Sequence, residues 1–359
     1  MAAIERHEHH RVRATAAVAV VATLVAITLA GCSSGSKPAA HLATSATSAP
    51  STTAPAPPAT GPRVIIDTDF SLWWDDATAL GLANVLEQQG AANVLGIMSD
   101  VRNPKAVAAI DAFDTAYGHG SIPLGAVSDS NADTARHGYT DVLASQLPHT
   151  VQSSNDVPNA VVLYRQLLAR QPDHSVTIVS LGGYTNLAGL IATSAGRALV
   201  NSKVTRLVIE DGLFPGGVGP ATNQKIDPAA TRAVVAGTPT AAPWPTPIAW
   251  VDGLDGLGTR VGGTVCAKDA ADTPIRIIYN DLFHCGPVRD GDWDGPTLLF
   301  ALGDMPQVFS VLGRGGSAVI NKQGGLSWQT PSARHDDVYV HVKNQQALNQ
   351  RIDQLITTA

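Results

Sequence analysis

No stretch of this sequence interleaves basic with aromatic side chains, and its 24 Lys and Arg are outnumbered by 30 Asp and Glu, for a net charge of −6. That balance removes the electrostatic case for a nucleic-acid partner. Cysteine is scarce, three in 359 residues, with no Cys-x-x-Cys pair and no Cys/His cluster, so a zinc site has no support. No internal repeat is present. What the chain has in quantity is apolar surface: 44% of its residues are hydrophobic, enough for a large core in one large or two medium domains.

The first thirty residues differ from the rest. Arg6, Arg11 and Arg13 precede an apolar run from Ala14 to Ala30 that ends in 29-LAGC-32. Charged region, apolar core and Leu-Ala-Gly-Cys box, in that order, resemble a bacterial lipoprotein signal, which implies removal of residues 1–31 and lipid on Cys32. An uncleaved anchor is the other reading, although the run is short for a span. Both put the remainder outside the cytoplasm, anchored at the bacterial cell membrane. Residues 32–62 are the lipidated Cys followed by Ser, Thr, Ala and Pro almost throughout, a composition that cannot offset chain entropy by burial and therefore reads as a flexible tether. With Cys32 taken by the anchor, Cys266 and Cys285 remain as an even pair in an oxidising compartment. A disulfide between them is expected, with two separate buried thiols as the alternative.

From residue 63 to 359, short β-branched runs alternate with amphipathic segments, the pattern of an α/β domain with a mostly parallel open sheet and helices on both faces. Strands are predicted at 63–66, 93–98, 123–127, 175–181, 204–209, 247–251 and 338–342. Helices are predicted at 76–89, 103–118, 157–170 and 227–237, the last with Asp227 as N-cap, Pro228 at the first helical position and Gly237 after the end. The segment near 253–295 reads as less regular. In open sheets of this kind, ligands bind outside the carboxyl ends of the strands. The segments 181-LGGYTNLAG-189 and 210-EDGLFPGG-217 follow strands, and 292-DWDGP-296 precedes an apolar helical run.

At the first of those strand ends, 64-VIIDTDFSLWWDDATAL-80 holds Asp67, Asp69, Asp75 and Asp76. Like carboxylates at close range repel unless a cation or a proton sits between them. Asp75 as a helix N-cap and Asp76 as a first-turn acid would be a purely structural account of that pair. Asp67 and Asp69, alternating on one strand face, point instead to a bound cation. All-oxygen ligands favour a hard ion, calcium or magnesium, and outside the cell calcium.

These residues resemble the signature of the inosine-uridine-preferring nucleoside hydrolases, Asp-x-Asp-Pro-Gly-x-Asp-Asp after the first strand. The likeness continues through 95-LGIMSDVRNPKAVAAIDAFDTAYG-118, 181-LGGYTNLAGLI-191, 223-NQKIDPAA-230 with 244-WPTPIAWVDGLDG-256, and 293-WDGPTLLFALG-303. The resemblance implies that Asp69, Asp76, the Thr185 carbonyl and Asp294 hold one calcium ion. It implies that Asp75 and Asn223 bind a ribose diol, with Asn103 near the sugar. Water deprotonated by Asp69 would attack the anomeric carbon of a riboside or nucleoside, and Asp67 would support the site through loop amides. Self-association into a homo-oligomer stays open.

The signature is incomplete. The Pro-Gly is Phe70-Ser71, so the turn loses the glycine that allows close backbone approach. Trp73 and Trp74 either pack under the loop or stack on a base. The acidic residue expected two positions before Asn223 is Ala221, the Met-Gly-Gly expected after the fifth strand is 210-EDG-212, which places a charge near the expected leaving group, and the His expected before Asp294 is Trp293. His284, Asp292 and His335 are the remaining candidates to protonate a leaving group. Two rival functions stand beside the hydrolase: a lipoprotein of the same fold that binds a ribosylated ligand without cleaving it, and a haloacid-dehalogenase-like phosphatase. The phosphatase also places Asp-x-Asp after a first strand but would want a later Lys and a Gly-Asp followed by acids, which 303-GDMPQ-307 does not supply, and it leaves Thr185-Asn186 unexplained.

Overall fold

The computed structural model describes residues 60–357 except 72, 129–137, 270–271, 289 and 335. The signal segment, Cys32, nearly all of the tether and His335 thus lie outside the described residues. None of the described helices is long and apolar enough to cross a membrane.

Nine strands form the sheet: β1 (Arg63–Thr68), β2 (Asn93–Ser99), β3 (Leu124–Ala126), β4 (Val176–Ser180), β5 (Val204–Glu210), β6 (Ile248–Val251), β7 (Phe309–Ile320), β8 (Leu326–Gln329) and β9 (Asp337–Val342). Their order is β3-β2-β1-β4-β5-β6-β9-β7-β8. The first seven in that order run parallel, and β7 and β8 add an antiparallel edge. This is the α/β fold the periodicity implies. Chain order reverses between β1 and β4, which opens a crevice at their carboxyl ends.

Period-two alternation supplies the two faces. Val64, Ile66, Val179 and Val208 enter one apolar cluster together with helices Asp75–Gln88 and Asp294–Leu302. Ile65, Ile178, Leu207 and Trp250 enter a second one with helices Ala160–Ala169 and Pro228–Val235. Each such fully buried side chain contributes about 1.5–3 kcal/mol relative to exposure. Because both faces are covered, the strand ends are the part of the sheet left for chemistry.

All seven predicted strands are present. β7 and β8 are additions, and their omission has a physical reason: Gly313, Gly315 and Gly316 interrupt the alternation of β7, and β8 is only four residues long. The stretch read as less regular contains helix Pro274–Phe283, with Thr273 as N-cap and Pro at its first position. Cys266 and Cys285 form the expected disulfide, with Cα atoms 5.6 Å apart.

Candidate active site

Asp67 ends the pairing of β1 with β4, and Asp69 follows two residues later. Tyr164 donates its hydroxyl to Asp67 Oδ2 at 2.7 Å and Asn186 its amide to Oδ1 at 3.1 Å. Among the described residues the supports of Asp67 are therefore these two side chains, where loop amides are expected from sequence. Burial raises its carboxyl to about 7, against the lowering effect of both hydrogen bonds.

Helix Asp75–Gln88 begins at the acid pair itself. Trp74 occupies the N-cap and makes no side-chain cap, so Asp75 is not the cap that the structural account required. Packing of this helix against Asp294–Leu302 brings Asp75, Asp76 and Asp294 together, with one carboxylate oxygen of each within 4.8 Å of the others. Asp75 Oδ2 accepts the Trp293 amide at 3.3 Å, and Asp76 Oδ1 accepts the Thr68 hydroxyl.

Asp69 Oδ2 and Asp76 Oδ2 are buried without any hydrogen-bond partner. Asp69 is raised to about 7, first by burial and then by Asp75. Asp76 and Asp294 lie well above the ordinary carboxylate range, again from burial and then from neighbouring acids. Among the leading influences on these groups there is no Lys, Arg or His. Two unit charges 4 Å apart repel by about 4 kcal/mol at an effective dielectric constant of 20. Fully buried carboxylates gathered without a cationic partner are what a hard divalent cation satisfies, and the all-oxygen set of Asp75, Asp76 and Asp294 fits such an ion.

The loop after β4 closes the crevice from the other side. A side chain at Gly182 would come within 2.8 Å of the Asp69 amide nitrogen and of Asp100 Oδ2, so only glycine lets this loop approach. Thr185 opens the next helix, Thr185–Ile191, and its hydroxyl faces Asp227 at 3.4 Å.

Asn103 is buried and fully engaged: it donates to Ser71 Oγ at 3.1 Å and Thr140 Oγ1 at 3.0 Å, and accepts the Lys105 amide at 2.9 Å. Asn223 donates to Glu210 Oε2 at 2.8 Å and to the Leu181 carbonyl at 3.1 Å. An acid thus does stand beside Asn223, delivered by β5 in place of position 221. Ser71 keeps a backbone conformation that favours glycine, φ 143°, although the glycine is gone. Phe70 is packed below it, edge-on to Phe113 and Tyr139. Of the two tryptophans, Trp74 packs inside against Tyr279 and Phe283, whereas Trp73 is 41% exposed.

Of the candidate acids, His284 is exposed and terminates helix Pro274–Phe283 in the left-handed region, φ 51°. Asp292 is fully buried; its Oδ1 accepts the Gly295 amide at 2.9 Å and its Oδ2 has no partner. Trp293 spends its indole N–H on the Gly253 carbonyl at 2.7 Å. One group escaped the sequence reading, Asp100, buried after β2 with both oxygens unpartnered; Glu210, expected as a charge near the leaving group, is found bonded to Asn223. Asp100 carries the signal that selected Asp69, an acid just past a strand.

A sequence profile of the inosine-uridine preferring nucleoside hydrolases matches residues 64–270. The chain belongs to this family. The nucleoside hydrolase fold is also that of solved structures. A plant nucleoside hydrolase superposes with a TM-score of 0.62 at 17% identity, covering 83% of this chain and 100% of its own. An inosine-uridine preferring nucleoside hydrolase from Bacillus anthracis gives 0.63 at 14%, with the same coverages of 83% and 100%. The type III effector protein XopQ, complexed with adenosine diphosphate ribose, gives 0.60 at 14% and covers 84% of this chain and 95% of its own. No curated protein matches in sequence. The phosphatase reading falls with this membership.

Proposed function

We propose that this nucleoside hydrolase family member is a calcium-dependent N-ribosyl hydrolase that cleaves ribonucleosides or related ribosides outside the cytoplasm, tethered through Cys32. The observation that carries the reading is the buried group of Asp75, Asp76 and Asp294, with unpartnered oxygens on Asp76 and on Asp69, which lies outside that group but acts electrostatically on Asp76.

Asp69, Asp76, Asp294 and the Thr185 carbonyl would hold the ion. When bound, calcium neutralises the cluster and acts as a Lewis acid toward a water and a ribose diol. Asp75 and Asn223 accept and donate hydrogen bonds to that diol and fix the sugar against β1 and β5. Asp69, ionised once the cluster is neutralised, takes a proton from the attacking water. Asp67 keeps its place through Tyr164 and Asn186. Water adds to the anomeric carbon as the bond to the base breaks.

The test is release of free base from inosine, uridine and a nitrophenyl riboside, in calcium and in chelator, with calorimetry on the same ligands. Calcium-dependent release is expected. Tight calcium-dependent binding with no release from any substrate would overturn the hydrolase in favour of the ribose-binding lipoprotein.

A further inference from the structure

Glu210 ends β5, two strands from β1, and its carboxylate is half-buried at the same sheet edge as Asp69. Asn223 holds Glu210 Oε2 at 2.8 Å, so the acid lies one hydrogen bond from an amide assigned to the sugar. Burial, and then Asp211, Asp75, Asp69 and Asp252 as like charges, push Glu210 well above the ordinary carboxylate range, a cost that a cation beside it would relieve, and Asp290 acts on Asp75 from the exposed rim. The one base among the leading influences on this set is His341, paired with Asp252 at 3.7 Å and Asp255 at 3.2 Å. One divalent ion offsets two of these negative charges. Its ligands would be Asp69, Asp76 and Asp294, which leaves Glu210 and Asp75 with no positive group among their leading influences.

Resting on the hydrolase reading above, we propose that the preferred substrate is a cationic N-riboside, a ribose whose anomeric carbon carries a quaternised ring nitrogen, with Glu210 selecting the positive charge. Such a substrate also removes the need for a leaving-group acid. The bond between C1′ and nitrogen breaks with its electron pair on nitrogen, and the ring departs neutral. The water oxygen bonds to C1′ and its proton passes to Asp69. A neutral nucleoside would release an anionic base unless a donor met it, and Trp293, next to Asp294, has already committed its indole N–H to Gly253.

The experiment compares nicotinamide riboside, which is cationic, with uridine and with nitrophenyl riboside, which is neutral but has a good leaving group. Wild-type enzyme is expected to show kcat/KM for nicotinamide riboside at least tenfold above uridine. Glu210→Gln keeps the shape and the acceptor for Asn223 and is expected to lower the ratio of nicotinamide riboside to nitrophenyl riboside kcat/KM tenfold or more, mainly through KM. A ratio unchanged in Glu210→Gln, or no preference over uridine, overturns the proposal while nitrophenyl riboside turnover leaves the hydrolase standing. Release from none of the three overturns both.

Discussion

Asn103 donates its side-chain amide to Ser71 Oγ at 3.1 Å and so ties the loop after β2 to the loop after β1, where a non-glycine residue sits at φ 143°. Strain of that kind persists only where the surroundings over-determine it. Asn103→Ala removes this bond and those to Thr140 and Lys105. Losing these three hydrogen bonds of a buried side chain is expected to cost about 1–3 kcal/mol, read as a lower thermal midpoint. Turnover is expected to fall at least tenfold even at temperatures where the variant is fully folded. Lost stability with unchanged turnover would confine Asn103 to a structural role.

Asp69→Asn should act on stability and on catalysis with opposite signs. It removes one charge from a buried cluster of acids, so the metal-free protein is expected to melt at a higher temperature. It also removes the proton acceptor, a loss of about 10²–10⁴-fold in turnover for a general base. Asp294→Ala, in contrast, is expected to weaken calcium binding by calorimetry. Unchanged base release in Asp69→Asn would count against the assigned base.

Stability without calcium is expected to decline as pH rises. Burial holds Asp114, on helix Ala106–Ala116, at about 8, and Asp67, Asp69 and Asp75 at about 7. The folded state therefore keeps protons that the unfolded chain releases near pH 4. This stabilisation is complete below about pH 4 and is lost as pH passes through 7 to 8. Calcium requires ionised carboxylates, so its stabilising effect should grow over the same window. Thermal midpoints at pH 5 and pH 8, with calcium or chelator, read both trends; equal calcium stabilisation at the two pH values would contradict the second.

What could be read from sequence was what is local. Val64 to Asp76 carries strand alternation, strand-end acids and helix start in one stretch, and each part lies where the pattern implies. Bonds such as Glu210 to Asn223, Tyr164 to Asp67 and Asn103 to Ser71 join segments that periodicity cannot relate, because they depend on strand order and on how far a loop folds back. The Thr185 carbonyl has no side-chain signature at all. Gly182 shows the converse: its residue type is explained only once Asp69 and Asp100 are seen against it.

Tyr164 tests how far support behind the site reaches the chemistry. Its hydroxyl is one of two side-chain donors that stabilise the ionised form of Asp67, and it comes from helix Ala160–Ala169. Tyr164→Phe preserves the ring in its apolar cluster and removes only that hydrogen bond. Asp67 then titrates higher, and since a one-unit shift corresponds to about 1.4 kcal/mol, the loss of a charge-assisted bond predicts a shift of roughly one unit. If activity needs Asp67 ionised, the acidic limb of the kcat/KM profile moves up in pH by that amount while the plateau is retained. A profile that drops uniformly without moving would assign Tyr164 to packing alone.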